Sequence, residues 1–416
     1  MKKVLSLLIA IVLCFGLFAC TAKTEQPAAP GSSTPPSQPA TTPATNAPAT
    51  NTPATNAPAT SSTPPPVASV PQGYITDDVD HYARKTYKIA FLTSDFTKLH
   101  QGWFNGLKAF EKRLNIEVSN MSASTNQETF ISNIELAITQ GFDGVLIAGM
   151  FEIAERATEM LYEADMPWIC FINVFVDKDK QTVAPTVVLD QVEAGRKAMQ
   201  WLIDNYKSFM GNIDTKKLGA ISVGFIVSAD HSMRAEGHKA AWEKAFPSQP
   251  FFLQDTASAG YTGPDVISAQ SAYELVGAIV STHPEIEYWL VTGTAEFYGS
   301  GAARALEGLG FTTKNALVCV VGSSPNIADW ESMTPDTPSV NVACLFISDI
   351  LYAAPALSGL IAIIDGRVTY DQLWLHETPA NYRFGNKFGV WECPTQIITR
   401  ENYKAIVAEV DALAMA

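Results

Sequence analysis

From residue 87 onwards the chain alternates short β-branched runs with longer stretches in which apolar side chains recur every three or four positions. The run YKIAFLTS (87–94) predicts a strand. Behind it, QGWFNGLKAFEKRL (101–114) predicts a helix, with Trp103, Phe104, Leu107, Phe110 and Leu114 at helical spacing. The alternation continues through strand 115–123, helix 126–141, strand 142–149, helix 152–164 and strand 166–173. A second series follows TVVLDQVEAG (186–195): helices over 196–206, 233–246, 264–283 and 298–310 interleave with strands over 218–228, 251–257, 288–293 and 316–322. Strands alternating with amphipathic helices make βαβ units, whose parallel sheets are buried on both faces. The pattern predicts an α/β protein with two consecutive parallel sheets, and in such folds ligands gather beyond the carboxyl ends of the strands.

The chain before this region reads differently. Lys2 and Lys3 precede an apolar run over 4–18, too short to span a bilayer comfortably, which predicts a signal peptide over 1–19. Leu17-Phe18-Ala19-Cys20 resembles the bacterial lipobox, in which cleavage leaves a lipid-modified cysteine at the new N-terminus; a short transmembrane anchor is the competing reading. On the lipobox reading Cys20 is the lipidation site, and the protein sits outside a bacterial membrane, on a cell surface or in a periplasm. After Cys20, residues up to 72 are almost wholly Ala, Thr, Pro, Ser and Asn, with the imperfect repeat PATNAPATNTPATNAPAT. Such a segment lacks the large apolar side chains needed to offset the entropy of ordering, so 20–72 is expected to be a disordered linker.

Charge narrows the partners. With Lys+Arg 28 against Asp+Glu 42, a formal net charge of -14 and no basic cluster in the folded part, nucleic acid is not an expected partner. Cys170, Cys319 and Cys344 lie inside apolar runs, where cysteine behaves as a small buried hydrophobe. No Cys-x-x-Cys or Cys/His spacing suggests a metal, and no cofactor is expected. There is no nucleophile elbow, zinc-protease motif or phosphate-binding loop, so the chain is not read as an enzyme.

The order of several stretches carries a resemblance: YKIAFLTSDFTKLHQGWFNGLKAF, AITQGFDGVLIAG, MPWICFINV, VVLDQVEAGRKA, RAEGHKAAWEKAF, HPEIEYWLVTGTAEFYGSGAARALEGLGF and TQIITRENYKAI. Together they resemble the type I periplasmic sugar-binding proteins of ABC importers, the arabinose-, ribose- and galactose-binding group, and most of all its arabinose-binding branch. The resemblance implies two similar lobes, one formed by 73–190 with 346–366 and the other by 191–345 with 367–416. Three hinge crossings would join them, near 189–191, 344–347 and 366–368. It implies a monomer that captures a monosaccharide or related polyol between the lobes and delivers it to an ABC permease, tethered to the membrane by its lipid. The alternative is a sensory subunit presenting the sugar to a membrane histidine kinase or chemoreceptor.

In such pockets planar polar groups meet the sugar hydroxyls, because a desolvated hydroxyl without a partner costs about 1–3 kcal/mol. The strand-end loops supply the candidates: Asp95, Phe151 and Asn173 from the first lobe, Asp190 at the first hinge, and Ser232, Arg234, Glu296, Ser324 and Asn326 from the second. Thr97, Lys98 and His231 stand beside them. Each has a local role open to it as well: Asn173, Ser324 and Asn326 as turn residues, Asp95 as a helix cap, Arg234 as an ion-pair partner of Glu236. The chain departs from the family's usual pattern at Ile172, Ser232, Ala295 and Ser324, where Asp, Arg, Asn and Asp or Asn are expected, so the resemblance leaves the sugar unnamed.

Overall fold

The computed structural model describes residues 79–96, 98–334, 337–376, 378 and 387–415. The expected signal peptide, Cys20, the linker over 20–72 and Thr97 lie outside the described residues, as do the side chains of Lys98 and Phe151.

The strands are β1 (Tyr87–Thr93), β2 (Ile116–Ser122), β3 (Gly144–Ala148), β4 (Trp168–Phe171), β5 (Thr186–Val188), β6 (Leu218–Gly224), β7 (Phe251–Asp255), β8 (Tyr288–Gly293), β9 (Ala316–Val321), β10 (Asn341–Phe346), β11 (Val390–Glu392) and β12 (Gln396–Thr399). The helices are α1 (Lys98–Lys108), α2 (Glu111–Leu114), α3 (Gln127–Thr139), α4 (Ala154–Glu163), α5 (Gln191–Met210), α6 (Ala229–Ala245), α7 (Ala269–Thr282), α8 (Phe297–Gly308), α9 (Ser324–Ser332), α10 (Asp349–Ile364) and α11 (Tyr403–Met415).

Two six-stranded sheets result among the described residues, ordered β11-β5-β4-β3-β1-β2 and β12-β10-β9-β8-β6-β7. Leaving aside β11 and β12, each sheet follows the doubly wound order 2-1-3-4-5, which reverses between its first and third strands and opens a crevice there. All pairs are parallel except β10 with β12. Every residue of β3, β4, β6, β9 and β10 is buried, as helices on both faces require, whereas the outer strands β2 and β7 are partly exposed. Cys170, Cys319, Cys344 and Cys393 are free and buried in this packing.

The chain passes between the sheets three times: from β5 to α5, from β10 to α10, and from β11 to β12. The first two passages fall where the sequence places them. The third does not lie at 366–368 but at 393–395. Gly366 (φ +67) looks like a hinge in sequence and is instead the left-handed residue that ends α10, its N–H bonded to Ile363 O at 2.9 Å. Beyond it the chain stays on the first sheet: Tyr370 hydrogen-bonds Trp168, Trp374 packs over Gly359, and β11 pairs with β5. α10 itself packs on α1 and on β3, β4 and β5, so it belongs to the first lobe. α11 then touches both lobes, with the Tyr403 ring against Trp330 and Leu413 O accepting a hydrogen bond from Arg113.

In the second lobe the flanking helices cross at glycines. A Cβ on Gly195 of α5 would collide with the Arg234 carbonyl of α6, coming within 2.7 Å of its carbon, and one on Gly237 of α6 would come within 2.6 Å of Arg196 N. Gly301 of α8 meets Ala269 of α7 in the same way. Only a residue without a side chain lets two helix backbones approach so closely.

Candidate functional site

The carboxyl ends of β6 and β8 converge on Arg234, in the second turn of α6. Its Nε donates to Gln191 Oε1 and its Nη1 to Thr294 O, each at 2.7 Å, while Nη2 has no hydrogen-bond partner among the described residues. Gln191 opens α5 at the first crossing, so this guanidinium ties the hinge, α6 and the end of β8 into one unit. The Gly195–Gly237 crossing sets the spacing that lets it reach. Next to it, His231 Nδ1 lies 2.6 Å from Thr294 Oγ1, and its ring meets the edge of Phe225. Burial, then the nearby Arg234 charge, pushes the His231 pKa down to about 3, so the ring is neutral.

Two half-exposed carboxylates from different lobes lie in this region, Glu296 within electrostatic reach of Arg234 and Asp349 within electrostatic reach of Glu296. Glu296 precedes α8, and its side chain lies over Gly322, whose positive φ of 94° and missing Cβ make room for it. Burial raises its pKa; its own backbone N–H and Arg234 act in the opposite sense. Asp349 opens α10 behind the capping Ser348, with its Oδ2 2.7 Å from where a Cβ on Gly102 of α1 would lie. Burial, then the Glu296 charge, lifts Asp349 to about 6. Neither side chain receives a hydrogen bond from another described residue. One turn along α10, Tyr352 is 3% exposed and its hydroxyl has no hydrogen-bond partner among the described residues. Arg234, Asp349 and Asp230 all act electrostatically on that hydroxyl, which places it with the same charges. Its ring rests on Phe171, which also meets Phe91 and Trp103; Phe91 and Phe171 are core residues, and Trp103 is the half-buried ring of the group.

The remaining sequence candidates divide. Asn173 follows β4 in a three-residue turn: its N–H donates to Phe171 O at 2.9 Å around Ile172, a β-branched residue at φ +71°. That conformation costs about 1–3 kcal/mol and persists only where the surroundings hold it, here through Ile172 N–H to Val187 O at 2.7 Å. The Asn173 amide side chain has no hydrogen bond among the described residues and is open to a ligand. Asp95 Oδ1 accepts from the Phe96 N–H at 2.7 Å. Asp190 is the N-cap of α5, accepting from Glu193 N–H at 2.9 Å. Ser232 lies in the first turn of α6, and Ser324 is exposed at the start of α9. Phe151 opens a short 3-10 turn after β3.

Asn326 is a correction: it is 0% exposed, with Oδ1 accepting from Asn341 Nδ2 at 2.6 Å and Nδ2 donating to Gly322 O at 3.4 Å. It fastens α9 to β10 from inside the second lobe, where no ligand reaches it. Asp349, Thr294 and Tyr352 were not among the candidates. The Ser-Asp pair that starts a helix right after the second crossing, in FISDILY, was the available signal for Asp349 and Tyr352. Among the described residues no group of His, Cys, Asp and Glu is arranged to hold a metal ion.

Comparison with known proteins agrees with this architecture. Residues 89–334 match the family model described as periplasmic binding protein domain. No curated protein matches the chain significantly. Among solved structures, the ribose ABC transporter periplasmic protein of Conexibacter woesei DSM 14684 aligns with a TM-score of 0.58 at 13% identity, covering 78% of this chain and 96% of its own. A solute-binding protein of Actinobacillus succinogenes 130z with bound D-allose gives 0.56 at 14%, covering 77% and 100%. The arabinose ABC transporter binding protein of Shewanella sp. ANA-3, bound to L-arabinofuranose, gives 0.55 at 18%, covering 79% and 97%. At such identities what is shared is the fold. With two doubly wound sheets joined by three crossings, and the family model matching 89–334, the chain belongs to the periplasmic binding protein family.

Proposed function

We propose that the protein is the sugar-binding component of an ABC importer, held outside a bacterial membrane by a lipid on Cys20 and reaching its permease over the linker of residues 20–72. The observation that carries this reading is the set of planar polar groups at the strand ends of both lobes. Arg234 has a free Nη2, Asn173 has a free amide, and Glu296 and Asp349 accept nothing from other side chains. These groups suit a ligand dense in hydroxyls, and the half-buried Trp103 ring suits its C–H faces. The sugars bound by the structural neighbours from Actinobacillus and Shewanella support the same ligand class.

Arg234→Ala is expected to weaken sugar binding roughly ten- to hundredfold, the equivalent of about 1–3 kcal/mol for a desolvated hydroxyl left unpaired. Calorimetry with the best sugar from a pentose, hexose and cyclitol panel measures it, and unchanged affinity would exclude the site. The anchor is tested separately. Cys20→Ser is expected to abolish incorporation of labelled fatty acid and release the chain from membranes; continued labelling places the lipid elsewhere.

A further inference from the structure

We propose that the cleft takes a sugar bearing a planar aromatic ring on its anomeric carbon, as in an aryl glycoside or a nucleoside, with that ring seated in the corner between Phe225 and His231; the proposal rests on the carbohydrate reading above. Phe225 follows β6 and His231 lies in the first turn of α6, and both are partly exposed. Their ring centres are 6.2 Å apart and the ring planes meet at 71°, so the pair forms a corner of one face and one edge. Thr294 fixes this corner beside Arg234. Its Oγ1 is 2.6 Å from His231 Nδ1, and its carbonyl accepts from Arg234 Nη1 at 2.7 Å. A ligand with a hydroxyl on Arg234 Nη2 therefore has an aromatic surface one helical turn away.

The first lobe carries a second ring pair in the equivalent place. β1 and β6 are the first strands of the two sheets, each at the reversal of strand order, and α1 and α6 are the helices that follow them. On α1, His100 and Trp103 are partly exposed, with ring centres 5.0 Å apart and planes at 73°. Trp103 also meets Phe171, whose carbonyl accepts from the Asn173 N–H. Trp103 and the open Asn173 amide are what one sugar ring needs, an aromatic face for its C–H side and a planar polar group for its hydroxyls. The corner in the second lobe is left for another flat group. A second sugar suits it poorly, because the polar side chains bonded to the corner are already engaged: Thr294 Oγ1 with His231, and the Asp255 carboxylate with the N–H groups of Ile226, Ala257 and Ser258. Val227, beside Phe225 in the same loop, is 73% exposed and apolar. Hydroxyls set against this loop would go unmet, whereas an aromatic ring stacks on one member of the corner and meets the edge of the other.

The test is calorimetry on the full chain with the phenyl, cyclohexyl and methyl glycosides of D-glucose and D-galactose, the free sugars, cellobiose and lactose, and adenosine and uridine beside D-ribose. Phenyl glycosides or nucleosides are expected to bind at least about fivefold tighter than every counterpart without the aromatic ring, the effect of one aromatic pair. Whichever of the two binds tighter identifies the source of the ring. Phe225→Leu is expected to remove the preference while moving methyl-glycoside affinity by less than about twofold, and Phe225→Tyr to retain it. A cyclohexyl glycoside as tight as its phenyl counterpart overturns the ring corner in favour of apolar bulk alone. A free sugar, methyl glycoside or disaccharide that binds as tightly as the aryl compounds overturns the proposal and leaves the carbohydrate reading standing. An aryl preference that survives Phe225→Leu overturns the assignment to this corner. If none of these compounds binds, the carbohydrate reading fails and this proposal with it. Should a variant not fold, the phenyl-to-cyclohexyl comparison on the unaltered chain decides.

Discussion

Gly195→Ala is expected to cost about 3 kcal/mol or more and to lower the melting temperature by roughly 5–10 °C. The added methyl group would enter the space of the Arg234 carbonyl, which is backbone and cannot rotate away. The usual gain of about 1 kcal/mol from replacing glycine by alanine inside a helix is too small to offset the forced separation of α5 and α6. Ligand affinity should fall together with stability, since that separation draws Arg234 away from Gln191. Gly277→Ala in α7 is the matched control: its Cβ would meet nothing closer than Ala305 Cβ at 3.9 Å, so it should be neutral or slightly stabilising. Thermal denaturation of the two variants side by side decides. Equal effects would show that the α5–α6 crossing tolerates a side chain.

Acid is expected to destabilise the fold through His238, which is 0% exposed on α6 with Nδ1 2.8 Å from Ser222 Oγ. Its Nε2 is buried and has no partner among the described residues. Burial, then the Arg234 charge, pushes its pKa from the ordinary 6.5 to about 3. Between those values the unfolded chain binds a proton that the native state refuses, so stability falls as pH drops below 6.5. The slope approaches about 1.4 kcal/mol per pH unit, giving about 3 kcal/mol by pH 4. Asp349 acts in the opposite sense, because its raised pKa makes the native state the better proton acceptor from about pH 6 downwards. The contribution of His238 is therefore read as a difference between chains. The double variant His238→Leu/Ser222→Ala should lose less stability between pH 7 and pH 4 than the unaltered chain, by urea denaturation at each pH. Parallel losses would locate the acid sensitivity elsewhere.

Most of the two sheets is legible in the sequence because parallel strands buried on both faces must be continuous apolar runs, as LGAISVG and ALVCVV are. Boundaries that depend on distant contacts are not. The sequence starts its fifth helix at 233, but the corresponding α6 begins at Ala229, with His231 in the polar stretch ADHS meeting Thr294 across the lobe. The third crossing is misplaced for a similar reason: nothing local distinguishes a glycine that stops a helix from one that hinges two lobes, and only the pairing of β11 with β5 does so. At the site, Arg234, Glu296 and Asn173 stand out as polar residues at strand ends. Asn326 has the same local appearance, and its burial follows from Asn341, fifteen positions away. Asp349 and Tyr352 escape notice because α10 is almost wholly apolar, and its first turns gain their importance from α1 and the opposite lobe.

The late return of the chain to its first sheet also governs the order in which the molecule is completed. As synthesis proceeds from the N-terminus, β1 to β5 emerge long before α10 and β11, and all of β6 to β10 intervenes. Until residues 349–392 appear, β5 is an unpaired parallel edge and the sheet lacks the helix that covers one of its faces, the kind of surface on which chains aggregate. The second lobe, in contrast, needs only β12 and α11 from beyond that segment. The N-terminal lobe is thus begun first yet closed only after nearly all of the second lobe has been made, and a nascent chain has exposed apolar surface to shield for most of its synthesis.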